Sequence, residues 1–416
     1  MLLELLRDCL ILFSHFYCII VSFVSFIFLN IAFGGSLKQV SATDLGVVAT
    51  KAALVQANNL DPTLVDEVYF GNVISSSNDA AYIARHVALK SGMKLETPSL
   101  TLNRLCGSGF ETVIQAAKAI TLGQANIVIA GGTENMSAAP LSAYGNSVRW
   151  GTPLGKGLPL SDALWDGLTD AYAKTPMGVT AENLAVQYNI TRSECDEFAI
   201  RSQQTWQKAQ EAGIFEHEMA PVEIPNKKKG TTDVITTDEH PRPQSVLEKL
   251  AKLPSVFQKD GVVTAASSSG ICDGAGAVLV VSEQALKEHN LQPLARLAGY
   301  SVAGCDPTIM GIGPVPAIRQ TMEQAGVDLH SQVDRIEINE AFAAQFLACA
   351  KELELDMDKT NIHGGAISIG HPLGASGSRI TAHLANEFSY NTTSKYHLGA
   401  ACIGGGQGIA VLLERA

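Results

Sequence analysis

No C-x-x-C pair occurs in this chain. Its eight cysteines, Cys9, Cys18, Cys106, Cys195, Cys272, Cys305, Cys349 and Cys402, are scattered over 416 residues. Zinc knuckles and thioredoxin-type redox motifs need the close pair, so neither is expected. A chain of this length needs no disulfide staples, which points to a reducing compartment. A surplus of positive charge is also missing: 30 Lys and Arg stand against 41 Asp and Glu, a net charge of −11. Bulk binding to nucleic acid is thereby excluded, although a local basic pocket for an anionic ligand is not. Arginine is scarce at the N-terminus, where Arg7 stands alone between Glu4 and Asp8. That composition is not that of a mitochondrial transit peptide.

What stands there instead is LILFSHFYCIIVSFVSFIFLNIAF, residues 10–33, with no formal charge apart from histidine. Its length makes it a candidate transmembrane helix or signal anchor. Within it, IVSFVS (20–25) reads equally well as a buried strand, and hydrophobicity alone does not separate the two.

The length argues for two or three domains. A composition of 46% hydrophobic residues with 37 glycines suits an alternating β/α fold with many tight turns. SATDLGVVATKAALVQA (41–57) opens with a Ser/Thr/Asp cap and has helical periodicity. VDEVYFGNV (65–73) ends in a strand-like run, and AAYIARHVALKSG (80–92) reads as a helix stopped by glycine. SLTLN (99–103) reads as a strand, FETVIQAAKAITLG (110–123) as a helix and ANIVIAGG (125–132) as a strand. Residues 133–265 are richer in proline, polar and charged residues and read as an inserted excursion. In it, Lys227, Lys228 and Lys229 read as a solvated basic loop rather than as phosphate ligands. Regular alternation returns at VVTAASSSGICDGAGAVLVVS (262–282). The order strand, NRLCGSG, helix, strand is echoed later by strand, GHPLGASG, helix, strand. This implies two related β/α halves, each presenting a reactive loop.

Four stretches carry chemistry. In NRLCGSGF (103–110), Cys106 stands where a strand turns into a helix, so unpaired N–H groups and the helix dipole would stabilise a thiolate. Gly107 and Gly109 would let a substrate approach the backbone. The competing reading is a buried, inert cysteine. In GHPLGASGSR (370–379), His371 either takes the proton of a nearby thiol or bonds the backbone of its own turn. CIGGGQG (402–408) is not a nucleotide loop, because a dinucleotide fingerprint opens a helix whereas this run leads into the strand-like IAVLLE. Glycines between strands suit bare N–H groups around an oxyanion. Cys402 at the head of the run exchanges protons or fills core. In NEAFA (339–343), Asn339 holds a water or donates to an oxygen, or else caps a helix.

Taken in order with GGTENMS (131–137) and MGVTAENLA (177–185), these stretches resemble the thiolase family from about Gly34 to the C-terminus. HPRPQSVLEKL (240–250) and GCDPTIMGIGPVPAI (304–318) are most similar to the thiolases of mitochondrial fatty-acid β-oxidation. The resemblance implies an α/β, thiolase-like fold: two related β/α halves packed as a layered α-β-α-β-α core with an inserted loop domain. The expected divisions are an atypical hydrophobic segment at 1–33, an N-terminal half of 34–138 with 266–286, a loop domain binding coenzyme A at 139–265, and a C-terminal half of 287–416.

The activity implied is thiolytic cleavage of a 3-ketoacyl-CoA to acetyl-CoA and a shortened acyl-CoA. By the same resemblance Cys106 is the nucleophile that carries the acyl-thioester, and the N–H groups of Cys106 and Gly404 hold the oxyanion. His371 activates Cys106 and, with a water on Asn339, stabilises the enolate. Cys402 is the proton donor and acceptor. Arg242, Ser245 and Ser269 match positions that contact coenzyme A, which is a substrate. No permanently bound cofactor and no metal is implied. A homodimer or homotetramer in the mitochondrial matrix is implied.

The chain departs from the family in places. The family's first strand falls on 20–25, but the loop after it falls on Ile27, Phe28 and Leu29, which match nothing. A membrane anchor, a divergent strand and a wrongly assembled first exon all account for this, and the abruptness of the break favours the last. His363 and Ser267 stand where the family usually has asparagine. A β-ketoacyl synthase would pair its cysteine with two histidines, so Asn339 and Cys402 favour a thiolase. A biosynthetic acetoacetyl-CoA thiolase would use the same residues in the condensing direction. An inactive, membrane-tethered lipid-binding protein is the alternative that rests on 10–33.

Overall fold

Residues 18–22, 27–226 and 230–416 are described by a computed structural model of the chain. Ten strands form one hydrogen-bonded sheet: β1 (Cys18–Ser22), β2 (Ile27–Ala32), β3 (Glu67–Gly71), β4 (Ser99–Leu102), β5 (Ile127–Asn135), β6 (Cys272–Ser282), β7 (Ala295–Gly304), β8 (Val333–Ile338), β9 (Tyr396–Ile403) and β10 (Gln407–Arg415). Their order is β8-β9-β10-β7-β1-β6-β5-β3-β4, with β2 also on β6. β3 is parallel to β4 and β5, and β8 to β9, while the other pairings are antiparallel. The helices that matter below are α1 (Ala42–Gln56), α2 (Ile83–Lys90), α3 (Ser108–Thr121), α4 (Met177–Gln187), α5 (Arg192–Glu211), α6 (Pro314–Ala325), α7 (Ala343–Leu353) and α8 (Ser376–Tyr390).

The apolar run at 10–33 is therefore not one long helix. Ile19 pairs with Val281 of β6 on one side and Arg296 of β7 on the other, so β1 joins the two wings of the sheet. The strand expected at 20–25 begins at Cys18, and Ile27, Phe28 and Leu29, expected to be a lost loop, open β2. Residues 1–17 and 23–26 lie outside the described set. No helix among the described residues is long and apolar enough to cross a membrane. The two readings diverge because buried strands and a spanning helix share one hydropathy profile.

Alternation along the strands sorts side chains onto two faces. Ile127 and Ile129 of β5, with Leu279 and Val281 of β6, pack with Leu45 of α1 and Val87 of α2. Their neighbours Val128, Ala130, Val278 and Val280 face the opposite way. There they meet Ile114 of α3, Ile380 of α8, and Ile403, Ile409 and Val411 of the other wing. The alternate residues of that wing, Leu398, Ala400, Ala410 and Leu412, lie against Ile318 of α6 and Phe346 of α7. The layers thus run helix, sheet, helix, sheet, helix, with α3 and α8 in the middle, as the family resemblance implied.

Two of the peripheral helices, α1 and α5, open on side-chain caps, whereas α2, α4, α6 and α7 do not. Ser41 accepts from the N–H of Asp44 at α1, and Thr191 and Glu194 form a capping box at α5. Neither α3 nor α8 has a side-chain cap, which leaves their first N–H groups without that partner at the centre of the molecule. The two helices touch through glycine. A Cβ on Gly109 would collide with the nitrogen of Ser378, and one on Gly377 with the nitrogen of Phe110. A Cβ on Gly107 would come within 2.5 Å of Ile403 Cδ1. Gly107 and Gly109, expected to make room for substrate, instead admit neighbouring protein. Gly109→Ala should therefore destabilise the fold by about 1–3 kcal/mol through overpacking. A urea midpoint equal to wild type would show that the two helices can part freely.

Candidate active site

The crossing of α3 and α8 sets two helix N-termini side by side, each preceded by a reactive loop. Between β4 and α3 the chain reverses through Leu105, whose φ is +48°. That left-handed conformation costs a non-glycine residue roughly 1–2 kcal/mol. It is held by the Leu105 N–H on Asn103 Oδ1 at 2.9 Å. Ser108 Oγ also accepts from the Arg104 N–H at 2.8 Å and donates to the Leu105 carbonyl at 2.7 Å. Cys106 is partly exposed and packs against a cluster of Ile74, Met136, Leu164, Cys272 and Leu373. Its sulfur receives the backbone N–H of Gly404 and its own N–H.

Burial nevertheless pushes the Cys106 thiol up to about 11, and the nearby Glu134 carboxylate adds to the rise. The thiolate expected from the helix terminus is thus not the resting state. Desolvation outweighs two N–H donors, so a reaction through this sulfur would need a base to take its proton.

His371 offers a basic ring nitrogen. Its Nδ1 lies 2.6 Å from Ser376 Oγ, and that hydroxyl donates to the Pro372 carbonyl at 3.1 Å. A hydroxyl has one proton, so Ser376 accepts from Nδ1–H and the lone pair of the ring resides on Nε2. Burial pushes His371 down to about 4, which keeps the ring neutral at pH 7. Nε2 lies 3.3 Å from Asn339 Nδ2. The His371 N–H donates to the Gly270 carbonyl at 3.0 Å.

Asn339 follows the last residue of β8, and α7 opens at Ala343 on Phe342, so Asn339 caps no helix. Its N–H donates to the Ala400 carbonyl at 2.9 Å. Its Oδ1 is buried with no partner among the described residues, an acceptor suited to a water.

Cys402 lies at the end of β9, paired with Gly408 of β10, and Gly404 opens the turn between them, where Gly405 and Gly406 have φ of +77° and +81°. Cys402 is fully buried beside Met177, Met310, Ala341 and Phe342. Burial first, then charge on Cys106, pushes its thiol well above the ordinary range. The two sulfurs therefore lie within electrostatic reach of each other. Arg104 Nη1 also donates to Gln407 Oε1 at 3.3 Å, tying the two loops together.

Arg242 and Ser245 stand apart from this cluster. With Gln203, His240, Ala266 and Ile367 they line a cavity of about 210 Å³. The Arg242 guanidinium donates to the carbonyls of Glu239, His240 and Pro241, and Ser245 Oγ donates to the Arg242 carbonyl. Ser269 is not in that lining. Its N–H donates to the Ala341 carbonyl at 3.0 Å, in the loop that carries Asn339. The lysines at 227–229 lie outside the described residues.

Two supporting residues escaped the sequence reading. One is Ser376, which sets the His371 tautomer. The other is Glu134, whose carboxylate accepts from the N–H groups of Val73 (3.1 Å), Ile74 (2.9 Å) and Gly374 (2.9 Å) and from Asn72 Nδ2 (3.0 Å). It clamps a loop of the first half to the His371 loop of the second. Both lie inside quoted motifs, but only the fold shows what they hold.

Family models match nearly the whole chain: Thiolase, N-terminal domain, over residues 18–284, and Thiolase, C-terminal domain, over 291–415. The first match begins inside the apolar run, so the break expected near Gly34 lies earlier. The chain is 56% identical to the mitochondrial 3-ketoacyl-CoA thiolase of Mus musculus over 383 residues, 92% of this chain and 95% of that protein. Among solved structures it resembles human mitochondrial 3-ketoacyl-CoA thiolase with a TM-score of 0.91 and 52% identity, covering 96% of this chain and 99% of that one. The human protein in complex with CoA gives 0.90 and 52%, covering 96% and 98%.

Proposed function

This chain belongs to the thiolase family, and from that premise we propose how its residues work. The protein is an acyltransferase that cleaves 3-ketoacyl-CoA, with free CoA as co-substrate, to acetyl-CoA and a shortened acyl-CoA in fatty-acid β-oxidation. One observation carries the reading: the Cys106 sulfur sits under the N–H groups of Gly404 and Cys106, with a second thiol in electrostatic reach.

In the proposed cycle, His371 Nε2 takes the Cys106 proton and the sulfur attacks the 3-keto carbon. The alkoxide rests on the N–H groups of Cys106 and Gly404. It collapses, the C2–C3 bond breaks, and the electron pair passes to the enolate of acetyl-CoA. The protonated His371 and a water on Asn339 hold that enolate while Cys402 delivers a proton to C2. The Cys402 thiolate then deprotonates incoming CoA, whose sulfur attacks the acyl-Cys106. Cys106 leaves and recovers its proton from His371. Burial that keeps both thiols protonated at rest suits this sequence, because each is ionised only when a partner takes its proton.

Asn339→Ala should lower kcat by about 10²–10³-fold, the usual cost of one oxyanion donor, with the KM for CoA little changed. A variant as fast as wild type would remove Asn339 from the site. The activity as a whole is tested by thiolysis of 3-ketoacyl-CoAs of graded chain length. Cleavage only of the four-carbon substrate would favour the biosynthetic, condensing enzyme, and no CoA-dependent cleavage at any length would overturn the reading.

We place coenzyme A in the cavity lined by Arg242 and Ser245, with Ser269, bonded to the loop that carries Asn339, at its thiol end. A guanidinium there suits a phosphate or an adenine face. We place the protein in the mitochondrial matrix, on its likeness to mitochondrial relatives. We propose a homodimer or homotetramer. Exposed apolar side chains in one stretch, among them Leu141, Tyr144, Trp150, Leu154 and Tyr172, support self-association.

A further inference from the structure

His363 stands where the thiolase family usually has asparagine, and the proposed reaction gives it no work. Its Nδ1 lies 3.0 Å from His383 Nε2. His383 and Glu387 are four residues apart on α8, so they share one helix face. The ligand atoms of His363, His383 and Glu387 all lie within 4.8 Å of one another, and His383 and Glu387 are buried. His383 Nδ1 lies 3.0 Å from each carboxylate oxygen of Glu218. An ionised carboxylate only accepts, so Nδ1 carries the proton and the Nε2 lone pair faces His363. A carboxylate behind the outer nitrogen of a histidine is the arrangement that orients metal-binding histidines.

Beside these groups is a cavity of about 10 Å³ lined by His363, His383, Glu218, Trp206, Asp238 and Arg379, the last of which is paired with Glu337. A cavity of roughly 10–15 Å³ admits a single water-sized guest. Arg335 donates to Glu387 Oε1. A carboxylate offers about four acceptor positions, so that bond does not exhaust it.

We propose that His363, His383 and Glu387 form a binding site for a divalent transition metal, with zinc the best fit, separate from the catalytic loops. Two imidazole nitrogens and one carboxylate oxygen suit zinc, with a water as fourth ligand. With Zn–N of about 2.1 Å, two tetrahedral nitrogen ligands stand about 3.4 Å apart, so the rings need part only slightly from their present spacing. Glu218 belongs to the excursion between α5 and β6, whereas His383 and Glu387 belong to the central helix. The ion therefore ties the loop of His363 to the central helix, with Glu218 of the excursion holding His383 in place behind it, and its effect is on stability.

The test is titration of the full chain with Co²⁺, followed by its visible spectrum. One Co²⁺ should bind per chain with bands of a nitrogen/oxygen site and no thiolate-to-metal charge transfer, and Zn²⁺ should displace it. His363→Asn should weaken binding at least about 10-fold, and Glu218→Gln about 10–100-fold, the usual cost of losing an outer partner. Zn²⁺ should raise the thermal midpoint of wild type but not of His363→Asn. Strong thiolate charge transfer would assign the ion to cysteines and overturn the proposal. So would equal Co²⁺ affinity in wild type and His363→Asn, or no binding by wild type at millimolar Co²⁺. None of these outcomes depends on thiolase activity.

Discussion

Replacing Cys106 by alanine is expected to abolish thiolysis, with kcat falling by about 10⁴-fold or more, as for loss of a covalent nucleophile. The neighbouring thiols are poor replacements: Cys272, which packs against Cys106, and Cys402 are both fully buried, and burial pushes both well above the ordinary thiol range. The substitution removes one sulfur from the edge of a small apolar cluster, so folding should survive it. The decisive measurement is intact mass after acid quench of enzyme mixed with a 3-ketoacyl-CoA and no free CoA. Wild type should gain one acyl group and Cys106→Ala none, at similar unfolding temperatures. An acyl group on another cysteine in the variant, or a tenth of normal activity, would remove Cys106 from the centre of the mechanism.

His371→Gln should lower kcat by about 10²–10⁴-fold, the range for a general base. With the Cys106 thiol pushed up to about 11, only about one molecule in 10⁴ carries a thiolate at pH 7 unless a base intervenes. The acid limb of kcat/KM in wild type should then lie near pH 4, where His371 titrates, rather than near 6.5.

Stability carries the same sign. The folded ring titrates at about 4 and the unfolded one near 6.5, so the folded state binds fewer protons between them. The contribution is fully present above pH 6.5 and is lost as pH falls towards 4. His371→Gln should flatten that part of the stability profile. An acid limb at 6.5, or an unaltered limb in the variant, would show that His371 is not the base.

The fold was legible where local pattern and tertiary demand agree. Ser41 and Asp44 mark the start of α1, and the alternation in VLVV of β6 serves two helical layers at once. It was ambiguous at 18–22 and 27–32, because an uninterrupted apolar run lacks the alternation that tells a strand from a helix. Gly107 and Gly109 were read for substrate because only the fold reveals Ile403 and Ser378 against them.

By itself the sequence determined which groups can react: a cysteine at a strand-to-helix turn, a histidine in a second such turn, and a cysteine before a glycine run between strands. Those are matters of residue type and local order. Only the tertiary structure decided their protonation. Desolvation is set by neighbours far away in the chain, as with Glu134, which reaches Gly374 across 240 residues. A sulfur whose ordinary pKa lies near neutrality thus becomes a buried thiol, and a histidine becomes a neutral base, because of what the folded chain places around them.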